Sequence, residues 1–259
     1  MPVPRALTPS GLILVDKPAG PSSFAVVREI RTRTGARTGH AGTLDPFADG
    51  LLLVLSGAAT RLVPWLVGLP KRYVTEIDLR ARTSTGDPEG EIVDAHEPPA
   101  GEELDRRLEG LRGEVELPIP AASAVRVGGE RAYRLARQGV QVEMPTRRSR
   151  VDALDVIAYT GDEVTLDLVV SSGTYVRAIA DRLGGHCRTL RRTEVGPFRV
   201  EDADPELILP PADAVPFLPA VAVAEEDARA LRAGRMRGDD GVRYLFNGEL
   251  VAVGRTILP

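Results

Sequence analysis

Apolar and polar positions along this chain follow two periods, one of strands and one of helices. Residues 11–15, Gly-Leu-Ile-Leu-Val, and 51–55, Leu-Leu-Leu-Val-Leu, are unbroken apolar runs of the length of a buried strand. Residues 73–79 and 163–170 alternate, as half-buried strands do. Helical spacing appears after Ser22 and Ser23, either of which can cap a helix with Phe24, Val27 and Ile30 on its apolar side and Gly35 at its end. It returns over 102–112, with Leu104, Leu108 and Leu111, over 176–183, and over 225–233. Val242 to Phe246 and Leu250 to Val253 flank Asn247-Gly248, the pattern of a β-hairpin. Turns are read at Asp16-Lys17-Pro18-Ala19-Gly20-Pro21 and at Thr85-Gly86-Asp87-Pro88-Glu89-Gly90, and 171–175 interrupts the periodic segments. The Pro-rich stretch 205–219 reads as a linker, and 120–150 reads as a projecting element. Strands and helices mix without strict βαβ alternation, which predicts an α+β fold around a central mixed or antiparallel sheet.

Composition narrows the class. The chain has 259 residues, 43% of them hydrophobic, enough to bury a core. No stretch approaches the roughly 20 apolar residues of a membrane span, and the N-terminus lacks a signal-peptide layout. One cysteine, Cys187, leaves no internal disulfide, so a cytoplasmic setting is expected. Its three histidines, His40, His96 and His186, show no metal-ligand spacing with it. Net charge is −4, yet charge is segregated. Among 33 basic residues only Lys17 and Lys71 are lysine, and arginines cluster near 28–37, 147–150, 188–192 and 229–237. An acidic protein arranged this way can present a basic face to phosphates.

The most distinctive chemistry lies in Thr38-Gly39-His40-Ala41-Gly42-Thr43-Leu44-Asp45-Pro46, followed by Phe47-Ala48-Asp49-Gly50. Pro46 restrains Asp45 to extended backbone angles, and the run puts one carboxylate on a rigid turn directly before a buried strand. Asp-Pro also opens ordinary turns, so the loop's significance depends on its company.

That company is a set of motifs in order: Asp16-Lys17-Pro18-Ala19-Gly20 with Ser22-Ser23, the Asp45 loop, Lys71-Arg72-Tyr73, Ser123-Ala124, Arg131-Ala132-Tyr133, Ala136-Arg137-Gln138-Gly139, Gly173-Thr174-Tyr175-Val176-Arg177 and Leu190-Arg191-Arg192-Thr193. Together they resemble the bacterial tRNA pseudouridine-55 synthases, the TruB family, from about Gly11 to Val200. The resemblance implies a pseudouridine synthase catalytic domain over 1–217, with an RNA-clasping insertion at about 120–150, and a shortened PUA-like β domain over 218–259. It makes Asp45 the catalytic carboxylate, sets Tyr73 to stack on the target uracil and pairs Arg177 with Asp45. It places His40, Lys17, Tyr175, Asp87 and Arg137 at substrate-binding positions. The partner it implies is the T stem-loop of tRNA, bound by a monomer that needs no cofactor and no metal. Two departures stand out: the segment behind Arg177 is shorter than in relatives, and so is the C-terminal region.

The implied reaction fits these residue types. Uridine becomes pseudouridine when the C1′–N1 bond breaks, the uracil rotates and C1′ rejoins it at C5. That exchange calls for an ionised carboxylate, a cation to hold it ionised and an aromatic face for a flipped base. Three roles are open to the carboxylate: attack at C1′, attack at C6, or removal of a sugar proton. Other readings are a guide-RNA-dependent synthase, a non-catalytic RNA-folding protein and a glycosidase, the last requiring a second carboxylate, for which Asp49 is the nearest candidate.

Overall fold

The computed structural model describes residues 10–123, 125–132, 134 and 144–258. Contacts divide the chain into two compact units, one made of Met1–Leu69 with Glu194–Pro259 and the other of Pro70–Thr193.

In the first unit the strand Gly11–Lys17 lies between Asp49–Ser56 and Asp204–Leu209, antiparallel to both. A short strand, Thr38–His40, also pairs with Asp49–Ser56. Leu12, Leu14, Leu51, Leu53 and Leu55 face one apolar cluster, while Ile13, Val15, Leu52 and Val54 face another with the helix Ser23–Thr34. Burial on both faces explains why these two strands read as continuous apolar runs rather than alternating ones. The strand 11–15 extends to Lys17, so Lys17 ends a buried strand instead of sitting in a turn.

Residues 205–219 are not a linker. Asp204–Leu209 is a strand at the sheet edge, where a proline costs no ladder bond, and Pro211–Ala214 forms a 3-10 turn. Beyond it, Ala220–Ala222, Arg243–Phe246, Glu249–Val253 and Thr256–Ile257 form a four-stranded sheet in that order, covered by the helix Glu225–Arg232. Its hairpin turns on Asn247 and Gly248, both at positive φ, 51° and 83°, as the Asn-Gly pair predicts. Leu250, Val253 and Leu258 join the same apolar cluster as Leu12 and Leu53.

In the second unit the strand order is His186–Val195 (up to Thr193), Lys71–Asp78, Glu163–Val170, Thr146–Tyr159, Gly113–Pro118. Alternation predicted the central pair well: Tyr73 pairs with Leu168 and Ile77 with Val164, all four buried. The helix Gly101–Glu109 packs on the helix Val176–Leu183. The first of these stops before Leu111, which is buried in the turn that follows. Ile92–Ala95, which carries no sequence signal, pairs with Ala81–Thr83. Of the region 120–150, the described part contains a two-residue hairpin, Arg126–Val127 with Glu130–Arg131, and the start of the long strand Thr146–Tyr159.

Candidate active site

Asp45 sits half-buried in the first unit, on a loop held by its backbone from both sides. On one side is Ser23. Its Oγ donates to the Leu44 carbonyl and accepts from the Leu44 N–H, each at 2.8 Å, and it is buried. On the other side is Lys17, fully buried, whose ammonium donates to the carbonyls of Pro18, Pro21 and Pro46 at 2.8, 2.9 and 3.4 Å. The Gly20 N–H adds a bond to Pro46 O at 2.7 Å, and the Ala48 N–H closes the turn onto Asp45 O at 3.2 Å. Gly42 and Gly50 bracket the loop, both at φ 102°, a conformation that strains any side chain. A buried ammonium tolerates its site when its donors are matched, and three carbonyl oxygens match its three protons.

Sequence reasoning places Lys17 among substrate-binding residues; its ammonium is turned inward, onto the backbone that carries Asp45. It left the cap between Ser22 and Ser23. Ser22 is the cap, accepting from Ala25 N at 3.2 Å, which leaves Ser23 for the loop. This second role has no signature in a one-dimensional pattern, although the serine doublet marks the place. His40 lies at the end of its short strand, opposite Val54 and leading into the loop. Phe24, expected on the apolar side of the helix, is instead 69% exposed. Ser23, Val26, Val27 and Ile30 form the buried face, Ser23 bonded to Leu44 and the other three packed against Ile13, Val15, Leu52 and Val54.

In the second unit, Arg177 lies in the first turn of the helix Val176–Leu183 and is almost fully buried. Its guanidinium is 3.4 Å from the Asp87 carboxylate and donates to Thr85 O at 2.6 Å and Ala122 O at 3.0 Å. Asp87 is buried too, accepting from Thr85 Oγ1 at 2.5 Å and from Glu89 N at 3.1 Å. Asp87 is thus both a turn former and an ion-pair partner. Tyr175 precedes this helix in an extended conformation and takes the N–H bonds of Ala178 and Ile179 on its carbonyl.

Tyr73 shares the buried face of Lys71–Asp78 with Lys71 and Thr75, and its own exposure is 8%. Lys71 donates to Ser172 Oγ at 3.2 Å. Burial, with the positive charge of Arg192 adding to it, pushes the Lys71 ammonium down to about 8. Neither the burial of Lys71 nor that of Arg192 was read from the sequence, because a basic residue in a strand looks the same whether it points in or out. Arg137 lies outside the described residues. Among those described, no group of three His, Cys, Asp or Glu side chains is placed to hold a metal ion, and no helix is long and apolar enough to cross a membrane.

Known proteins sharpen this picture. Residues 28–176 match the TruB family pseudouridylate synthase N-terminal domain. A protein of Leifsonia xyli subsp. xyli named tRNA pseudouridine synthase B is 40% identical over 247 residues, covering 89% of this chain and 81% of its own. One of the same name from Cereibacter sphaeroides (strain ATCC 17025) is 40% identical over 276 residues, covering 95% and 92%. Among solved structures, an H/ACA RNP bound to a substrate RNA containing 2′-deoxyuridine aligns with a TM-score of 0.68 at 25% identity, covering 93% of this chain and 76% of the other. A Cbf5-Nop10-Gar1 complex aligns equally well, with a TM-score of 0.68 at 24% identity over 95% and 79%, which speaks for the fold. With the family matched over 28–176 and relatives at 40% identity along most of both chains, this chain belongs to the TruB family of pseudouridylate synthases.

Proposed function

We propose that the chain converts one uridine in the T loop of tRNA, position 55, to pseudouridine, and that Asp45 is the carboxylate that does so. The observation that carries the reading is the loop: Leu44 and Pro46, the neighbours of Asp45, are each pinned through backbone atoms by a buried side chain. Such anchoring holds a carboxylate in position at little further entropic cost when a substrate arrives. The tRNA assignment follows the names of the relatives.

In the reaction the C1′–N1 bond breaks and a C1′–C5 bond forms. The proton on C5 is lost and N1 gains one, so the conversion is an isomerisation with no net redox change. Asp45 serves as nucleophile, at C1′ or at C6, or as base. By the family resemblance Arg177 is the cation paired with Asp45, Tyr73 receives the face of the flipped uracil, and Tyr175 and His40 line the nucleotide's surroundings. Asp87 acts through Arg177, and Lys17 through the loop carbonyls. Arg137 and the region around 120–150 clasp the stem-loop, and 218–259 adds a small PUA-like RNA contact. The protein works as a cytoplasmic monomer.

The test is to incubate the purified protein with unmodified tRNA and with a T-stem-loop minihelix, then locate pseudouridine by position. The reading expects product at a single T-loop uridine in both, without any guide RNA. Product formed only when a guide RNA is supplied, or none at all despite tight binding, contradicts it.

A further inference from the structure

We propose that the outward face of the helix Ser23–Thr34 is a second nucleotide subsite, where Phe24 stacks on an unpaired base of the RNA substrate and Arg28 and Arg31 hold neighbouring phosphates. The proposal rests on the reading of this chain as an RNA-modifying enzyme. Phe24 has the largest exposure of the exposed large hydrophobic side chains among the described residues, 69%. A singly exposed apolar residue is ordinary by itself. Its setting is not. Phe24, Arg28 and Arg31 fall at i, i+4 and i+7, within about 60° of arc on the helix, and so form one stripe. All three are exposed, and neither arginine side chain has a carboxylate or hydrogen-bond partner among the described residues. Arg33, on the other side, is tied to Glu206 and to Pro205 O. Glu29 is also exposed but lies about 100° round from Arg28.

Two features tie the stripe to the candidate active site. Phe24 directly follows Ser23, the residue that grips the Leu44 backbone at 2.8 Å next to Asp45. Beside the stripe, a cleft of about 340 Å³ opens between this helix and the turn after Lys17, with Pro18, Pro21, Ala25, Arg28, Glu29 and Thr32 on its walls. Arg28 belongs to both the cleft and the stripe. An aromatic face flanked by uncommitted guanidinium groups is the combination that single-stranded nucleic acid favours, with bases stacking on the ring and phosphates meeting the forks. The anionic backbone of RNA complements this charge, and an unpaired loop nucleotide can reach an exposed ring.

The experiment measures the Kd and steady-state kinetics of the full chain with unmodified T-stem-loop RNA. Phe24→Ala should raise Kd about tenfold, the scale of one lost base stack, and leave kcat at saturating RNA unchanged. Phe24→Leu should behave like Phe24→Ala, and Phe24→Trp should bind within about twofold of the wild type, because the ring face and not its greasiness is at issue. Replacing both Arg28 and Arg31 by alanine should lower the slope of log Kd against log salt by about 1.4, roughly 0.7 per single-strand phosphate contact. The proposal is overturned if Phe24→Ala binds within about twofold of the wild type, or if Phe24→Leu binds as tightly as the wild type. It is also overturned if sedimentation shows a wild-type dimer that Phe24→Ala dissolves, which would make the stripe a contact between copies. A wild type that makes no pseudouridine would defeat the functional reading itself; an active wild type with an indifferent Phe24 defeats only the subsite.

Discussion

Ser23 and Leu44 exchange two hydrogen bonds through one hydroxyl, which accepts from the Leu44 N–H and donates to the Leu44 carbonyl at 2.8 Å each. The first buried helix thereby sets the position of the residue before Asp45. Ser23→Ala leaves both Leu44 groups without this partner in a buried place, a loss of about 1–3 kcal/mol in urea unfolding. Turnover should fall with it, while RNA affinity holds. Ser22→Ala, losing only a helix cap, should cost about 1 kcal/mol and leave turnover near the wild-type rate. Equal kinetic effects from the two serines would argue against the anchor.

Lys17 performs the matching task for Pro46. Lys17→Met keeps the aliphatic bulk but removes the donor shared by three carbonyls, so a loss of about 3 kcal/mol or more is expected. Lys17→Arg should not rescue it, since a planar guanidinium cannot occupy the place of a compact ammonium. The salt slope of RNA binding should be unchanged in Lys17→Met, measured under conditions where it stays folded. A slope lowered by a full charge would mean that Lys17 meets a phosphate after all.

Arg177 and Asp87 form a buried ion pair whose side chains are 2% and 7% exposed. Removing one member of such a pair takes a buried charged partner from the other, which typically costs about 3–5 kcal/mol. Asp87→Ala should therefore destabilise more than the double variant with Arg177→Met, a sign reversal that a double-mutant cycle reads directly. Additive effects would show that the two side chains are not energetically coupled.

Lys71 gives a pH signature. Its folded pKa of about 8 lies below the ordinary 10.5, so between those values the unfolded chain binds more protons than the folded one. Stability from this group is therefore lowest and flat below about pH 8, and rises as pH climbs from about 8 toward 10.5. Melting curves of wild type and Lys71→Met across that window should diverge at the low end and converge at the high end. Parallel curves would contradict the burial of a charged ammonium at this position.

Much of this organisation is legible in the chain because local and global preferences agree. Residues 163–170 alternate cleanly and form a strand of those bounds, and Asn247-Gly248 marks a turn that only positive φ angles permit. What escapes sequence reading is direction. Nothing in the string tells Phe24 to face out, Lys17 to face in, or Ser23 to turn from capping duty toward Leu44, because each depends on a partner distant in sequence. The same limit made 205–219 look like a linker. Its prolines do break ladders, but only where a strand has neighbours on both sides, and Asp204–Leu209 has one. The residue types of the candidate site stand in order along the sequence; the backbone anchoring of the Asp45 loop leaves no mark there.

The central claim is that Asp45 supplies the reacting carboxylate. The most direct measurement compares wild type and Asp45→Asn on unmodified tRNA, reading pseudouridine at each position together with tRNA affinity and melting temperature. The account predicts a folded variant that binds tRNA within a few-fold of the wild type and forms no T-loop pseudouridine. T-loop product from Asp45→Asn at a rate comparable to the wild type would contradict it.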